Sequence, residues 1–100
     1  MDTTVRDNPD ENRYQLHVDG ELAGFARYRR QDGVVNLFHT EVDGAHEGTG
    51  VGGRLAREML DDLCARGEAV RPDCPFIAGW IEHHPEYGDL VRPSAAQGLA

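Results

Sequence analysis

The chain contains no lysine: all ten of its basic residues are arginine, set against eighteen acids, for a formal net charge of −8. That absence removes the nucleoside-triphosphate P-loop, which needs a lysine directly after its last glycine to reach the outer phosphates. The acidic balance argues against nucleic acid as a partner, because contacts to phosphate supply most non-specific affinity there. No stretch approaches the ~18 apolar residues of a membrane span, and no signal peptide opens the chain, so no membrane association is expected. The two cysteines, Cys64 and Cys74, are too few for a disulfide framework, and the expected location is cytoplasmic. Repeats, low-complexity stretches and internal linkers are also missing. One hundred residues imply one domain. Residues 1–12 are polar and expected to be disordered, as is the small, polar tail 92–100, which leaves 13–91 as the folded domain. A core of roughly 80 residues suffices for a small domain with thin margins.

What is present is glycine in one place. Glu47-Gly48-Thr49-Gly50-Val51-Gly52-Gly53 puts four glycines directly before the helical pattern that continues through Arg54 to Leu60. Backbone N–H groups without side chains in the way, aided by the positive end of the helix dipole, form a ready site for phosphate oxygens. Gly48, Gly50 and Gly53 match G-x-G-x-x-G literally. A dinucleotide fingerprint, however, needs its first glycine at the end of a strand, in a sheet with two nucleotide-binding halves. Here the polar loop Asp43 to Glu47 intervenes and the chain is too short for both halves, so the match is coincidental.

Arg13 to Val18 alternates polar and apolar residues, as a strand with one buried face should. Asp19-Gly20 then separates it from a second run, Glu21 with Leu22 to Arg30. Asp-Gly between strand-like runs signals a tight hairpin. Gln31-Asp32-Gly33 makes a second such turn before a third strand, Val34 to Val42. These three strands read as an antiparallel meander. In the helix that follows, Val51, Leu55, Ala56, Met59, Leu60, Leu63 and Cys64 form one broad apolar stripe. Arg66 in the last turn and Gly67 just beyond it mark the exit. Ala69 to Arg71 forms a short fourth strand, ended by Pro72 and parallel to the third across the crossover helix. A second helix opens at Pro75, carries Phe76, Ile77, Trp80 and Ile81 inward, and stops at His84. A last turn, Pro85 to Val91, closes the domain.

This order, an antiparallel meander, a glycine loop, a helix, a strand and a helix, resembles the core of the GNAT N-acetyltransferase fold. The acetyl-CoA signature of that family is Gln/Arg-x-x-Gly-x-Gly/Ala, and Glu47 to Gly52 matches all but its first position. His39-Thr40-Glu41-Val42, Pro72-Asp73-Cys74-Pro75-Phe76 and His84-Pro85-Glu86-Tyr87 look like the compact GNAT-like subgroup of about this length. The resemblance covers Gln15 to Val91 and implies an α+β, truncated GNAT-like fold. It also implies acetyl-CoA or CoA as co-substrate, an unidentified amine as acceptor, and no metal. By resemblance, the pyrophosphate rests on Glu47, Gly48, Thr49, Gly50, Val51, Gly52 and Gly53. The pantetheine arm pairs with the open edge of the third strand near Val42, and the thioester reaches Cys74. Arg54 and Arg57 are the nearest cations, or else a solvated helix face. Glu47 departs from the signature by placing an acid beside the phosphates.

Acetylating an amine requires a group to take the amine's proton and another to meet the departing thiolate. Glu41 and His39 share one strand face and are candidate bases, each otherwise a surface or structural residue. Cys74, just before Pro75, falls at a helix N-cap, where helix N–H groups favour a thiolate. Caps are usually Ser, Thr, Asp or Asn, so Cys74 is either a nucleophile or acid, as the subgroup's pattern suggests, or a small packing residue. Tyr87 is a candidate acid by resemblance, or an aromatic packed on the sheet. Cys64 belongs to the helix's buried stripe. His39, His46, Cys64, Cys74 and His83 show no metal-like spacing. The reading is therefore an acetyl-CoA-binding domain that transfers acetyl to an amine, as a monomer or weak homodimer. Its rival is a non-catalytic CoA-binding or protein-interaction module on the same fold. The chain stops before the further strands that wall in the acceptor in a typical GNAT domain, so an open site, or one completed by a second subunit, is expected. The net acidity leans towards a cationic acceptor by steering.

Overall fold

The computed structural model describes residues 2–46 and 48–92. Five strands form one sheet in the order β1-β2-β3-β4-β5. They are β1 (Thr3–Asn8), β2 (Arg13–Val18), β3 (Glu21–Gln31), β4 (Val34–Val42) and β5 (Ala69–Pro72). The first four are antiparallel neighbours, and β5 lies parallel to β4. Between β4 and β5 come a short 3₁₀ turn, Gly44–His46, and helix α1, Val51–Ala65. Helix α2 (Pro75–Glu82) and a 3₁₀ segment, Pro85–Leu90, complete the order.

Both hairpin turns form as their Asp-Gly pairs dictate. Asp19 and Gly20 have φ of 51° and 85°, and Asp32 and Gly33 have 55° and 77°, the positive values that match the twist of paired strands. At the far end of α1, Gly67 at φ 72° provides the left-handed exit.

The sheet buries one face. Tyr14, Leu16, Ala26, Tyr28, Val35 and Leu37 point to α1 and meet Val51, Leu55, Ala56, Met59, Leu60 and Leu63. The rim of this layer is fastened by tyrosines. The Tyr14 hydroxyl donates to Asp62 Oδ2 and the Tyr28 hydroxyl to Asp7 Oδ1, both at 2.6 Å.

Three expectations are corrected. Residues 1–12 are not all disordered: Thr3–Asn8 is a full edge strand, which turns the three-stranded meander into four. Its stability comes from backbone pairing and from Asp7, which receives Tyr28 and pairs with Arg66 at 3.2 Å. Cys64 is exposed rather than buried. At 100° per residue it lies roughly 130° from the centre of the α1 stripe, beyond its edge. Phe76 is 43 % exposed rather than inward, because it faces the opening described below. Of the tail expected to be disordered, 92–100, Arg92 is described and donates its N–H to the Val70 carbonyl at 2.8 Å, while 93–100 lie outside the described residues, as does Glu47.

Candidate functional site

The site begins where the parallel pair β4–β5 stops. Pairing runs from Val34 with Ala69 to Leu37 with Pro72, and proline ends it because it has no N–H for the ladder. The Cys74 N–H then donates to the Leu37 carbonyl at 2.9 Å, and the chain turns away into α2. Beyond that point β4 continues to Val42 with no strand on its β5 side among the described residues.

A bulge decides what this free stretch displays. Arg27 pairs with His39 but Tyr28 pairs with Leu37, so Phe38 is an extra residue in β4. Simple alternation from Val35 and Leu37 would put His39 and Glu41 on the α1 face. The bulge reverses this: Thr40 and Val42 fall on the α1 face, paired with Ala26 and Gly24, while His39 and Glu41 fall on the opposite one, beside Arg27 and Phe25.

On the α1 face, a cleft of about 270 Å³ is lined by Thr40, Val42, His46, Gly48, Gly52 and Phe76. Its floor is the glycine loop. Gly48 and Gly50 have φ of 81° and 85°, and the latter is the N-cap of α1 with no side-chain cap. The helical ladder starts with Arg54 N–H on the Gly50 carbonyl at 3.2 Å, so the first-turn N–H groups of Gly52 and Gly53 precede it and have no helical acceptor. A Cβ on Gly52 would come within 3.2 Å of Phe76 Cζ and 3.6 Å of Val42 Cγ2, which explains glycine at a position of ordinary φ. Thr49 closes the loop from below: its hydroxyl donates to the His46 carbonyl at 2.5 Å.

On the opposite face, a cleft of about 540 Å³ is lined by Leu22, Phe25, Glu41 and Asp43, and it shares Thr40 and Val42 with the first. His39 Nε2 and Glu41 Oε1 are 3.2 Å apart, so this candidate pair is brought together. The end of β4 is a partition between the two clefts.

Cys74 is the N-cap of α2, as expected, and is buried. Its Sγ makes no cap bond and instead donates to Thr40 Oγ1 at 3.3 Å, which ties the start of α2 to the partition strand. Tyr87 lies elsewhere. Its hydroxyl donates to Asp61 Oδ1 at 2.7 Å and accepts from Arg57 at 3.3 Å, and its ring packs on Trp80. The phenol is held protonated above its ordinary range, first by the bond to Asp61 and then by burial. The two candidate cations are also engaged: Arg54 pairs with Glu58 one turn on, and Arg57 lies over Trp80 and Tyr87. Thr40, His46 and Phe76 line the site, although the sequence offered Thr40 and Phe76 only within the strings that carry the resemblance and His46 only among rejected metal ligands. The bulge hid Thr40, and Phe76 fits a helical stripe equally well.

Among the described residues no group of three or more His, Cys, Asp or Glu is placed to hold a metal ion, and no helix is long and apolar enough to cross a membrane.

A parallel strand pair that parts around a glycine nest at the head of its crossover helix defines an α+β domain of the acetyltransferase type. A family model described as GCN5-related N-acetyl-transferase matches residues 13–90. The chain belongs to that family, whose members use acetyl-CoA. Among solved structures, the ribosomal-protein-S18-alanine N-acetyltransferase of Escherichia coli is 26 % identical, with a TM-score of 0.59 over 71 % of this chain and 49 % of that one. The ribosomal-protein-alanine N-acetyltransferase of Brucella melitensis biovar Abortus 2308 is 20 % identical, with a TM-score of 0.47 over 86 % of this chain and 67 % of that one. The chain thus spans about half the length of the first of these. None of the curated proteins matches it by sequence.

Proposed function

We propose that the chain binds acetyl-CoA in the cleft between the glycine loop and Phe76 and transfers its acetyl group to an amine approaching from the opposite side of β4. The observation that carries this reading is the partition: at one strand end, Thr40 and Val42 line both clefts. The glycine loop fits a pyrophosphate, because Gly48, Gly50 and Gly52 keep Cβ atoms out of the space in front of the first N–H groups of α1. The free edge of β4 fits the two amides of pantetheine as an added strand.

Acetyl-CoA supplies an activated acyl group. In the balanced reaction a carbon–sulfur bond breaks, a carbon–nitrogen bond forms, the amine loses a proton and the thiolate gains one. Glu41, with His39 beside it, is the group placed to take the amine's proton. Thr40, which lines the cleft, and Cys74, whose thiol donates to it, form the hydrogen-bonded pair on the thioester side, and in this reading the proton for the leaving sulfur comes through them. Tyr87 acts as a strut for α1 in this reading. In place of Glu47, the backbone of Gly48 to Gly53 supplies the phosphate contacts.

Isothermal calorimetry with acetyl-CoA, then mass spectrometry of a panel of amines, tests this directly. Gly52→Val fills the cleft without demanding a positive φ and should lower acetyl-CoA affinity about tenfold or more, that is about 1.4 kcal/mol. Unchanged affinity, with circular dichroism like that of the parent, would move the ligand elsewhere. A second reading, a CoA-binding or protein-interaction module without turnover, is favoured by one observation: the Tyr87 phenol is engaged by Asp61 rather than facing either cleft. Binding without acetylation of any amine selects it.

A further inference from the structure

The sheet face turned away from α1 carries the opposite charge to the chain. Strand register aligns Arg6, Gln15, Phe25 and Glu41 in one row across the sheet, and Arg13, Arg27 and His39 in the next. Arg29 follows on the same side of β3. With eighteen acids for ten arginines, carboxylate partners are plentiful, and Arg30, Arg54, Arg66 and Arg71 each have one. On this face Arg6, Arg13, Arg27 and Arg29 have none among the described residues.

Arg13, Arg27 and Arg29 are held on aromatic rings instead. Arg13 and Arg27 lie 4.7 and 5.3 Å from the Phe25 centroid, and Arg29 lies 4.9 Å from that of Phe38. A cation–π contact orients the planar group but leaves its N–H edge free, and that edge matches a carboxylate with two parallel bonds. Glu41 and His39 stand at one end of the same face, so a molecule lying over the arginines has its end at the candidate base.

We infer that this face docks the acceptor, and that the acceptor amine is carried by a carboxylate-rich polypeptide segment. The amine part of this inference rests on the acetyltransferase reading; the docking part stands on the face alone. A second copy laid sheet to sheet would set arginine against arginine and be repelled. Nucleic acid fits poorly for two reasons. Bases need open aromatic faces to stack on, and guanidinium groups already lie over both rings, Arg13 and Arg27 over Phe25 and Arg29 over Phe38. Four arginines without a carboxylate also fall short of the roughly 6–10 phosphate contacts of a typical duplex binder, in a chain whose remaining surface is acidic. A peptide with a few carboxylates makes the smaller demand. The net charge of −8 therefore misdirects: the local field beside Glu41 favours an anionic body bearing one amine, not a polycation.

The test is fluorescence anisotropy of the full chain at low salt. The probes are short C-terminally labelled peptides with free N-termini (Asp/Glu-rich, Ser/Gly-rich and Arg-rich) and a labelled single-stranded oligonucleotide. The acidic peptide should bind, lose affinity as salt rises, and weaken about tenfold in Arg27→Glu with Arg29→Glu, as expected for reversing two exposed charges. Arg92→Glu should leave it unchanged. The single variant Arg27→Gln, checked by circular dichroism, should show a smaller loss and guards against misfolding of the double variant. Equal binding of the Ser/Gly peptide, indifference to the arginine substitutions, or no binding overturns the inference. Tighter binding of the oligonucleotide overturns it in favour of nucleic acid. In a competition with acetyl-CoA, the acidic peptide should be acetylated faster than the Arg-rich one; the reverse order overturns the acceptor assignment. Failure of calorimetry to detect acetyl-CoA, with the acidic peptide still bound, sinks the acetyltransferase reading and not the docking face.

Discussion

The two faces of the sheet solve the same problem with different chemistry. Under α1, aliphatic side chains exclude water, and polar groups appear only at the rim, as phenols donating to carboxylates: Tyr14 to Asp62, Tyr28 to Asp7, Tyr87 to Asp61. On the bare face no helix among the described residues lies over the strands, and arginines lie over Phe25 instead. The covered face holds the fold and the bare face holds charge. The difference teaches that in a small domain, burial on one side frees the other side for recognition. The end of β4 is where the two meet.

Substitutions should respect that division, and the largest effect belongs to the covered face. Leu60→Ala removes a fully buried side chain from α1 and should cost about 2–5 kcal/mol in urea unfolding. Arg27→Ala on the bare face should stay within about 0.5 kcal/mol. Similar losses at both sites would erase the distinction.

Alkali should act through the covered face as well. The Tyr14 and Tyr28 phenols are pushed above their ordinary range by burial first and by their carboxylate partners next, and Tyr87 by Asp61 first. A folded-state pKa raised above the unfolded value, about 10, gives stability that is complete below pH ~10. That stability is lost as pH rises through the folded values. Phenolate absorbance should therefore appear only above pH ~10 and together with unfolding. A phenol that ionised earlier, in the folded chain, would show that the rim is open.

The thiols sharpen the comparison further. Cys64 is exposed and Cys74 is buried, so iodoacetamide should modify Cys64 at about the rate of a free thiol and Cys74 about tenfold more slowly. Acetyl-CoA should slow Cys74 again and leave Cys64 alone. Peptide mapping reads both rates, and a faster Cys74 would mean that the start of α2 opens in solution.

The smallest effect tests an imperfection of the bare face. Asn36 is 5 % exposed, stands in register between Arg29 and Arg71, and has an Oδ1 without a partner. An unsatisfied buried acceptor costs about 1–3 kcal/mol. Asn36→Val, well suited to a strand, should raise stability by about 1 kcal/mol; a loss would mean that the amide is satisfied by water.

Much of this was legible in the sequence, because the signals were local. Asp-Gly pairs fixed two hairpins, glycines marked both ends of α1, and Pro72 and Pro75 bracketed the opening. What escaped notice depended on partners far along the chain. Thr3–Asn8 has a single large apolar residue, Val5, and no alternation to announce a strand; its order comes from β2 and from Asp7 meeting Arg66 and Tyr28. The pairing of His39 with Glu41 was readable from alternation, but which side they faced was not, because nothing at Phe38 advertises an extra residue. The engagement of Tyr87 with Asp61, twenty-six residues away, likewise has no local trace. The arginines of the bare face were visible as residues and invisible as a surface, since register alone gathers them.

Phe38 has one further consequence. An inserted residue in a strand acts as a half-period shift, so all that follows is written in the opposite phase to what precedes. Deleting Phe38 would remove the bulge and keep His39 opposite Arg27, with every side chain facing as it does now. Regular pairing with Phe38 retained would instead slide each later residue one place along β3 and exchange Thr40 and Val42 for His39 and Glu41 on each side of the partition. The two clefts would trade their linings. The chemistry of the site is thus stored less in which residues are present than in the register that the bulge sets between the end of β4 and β3.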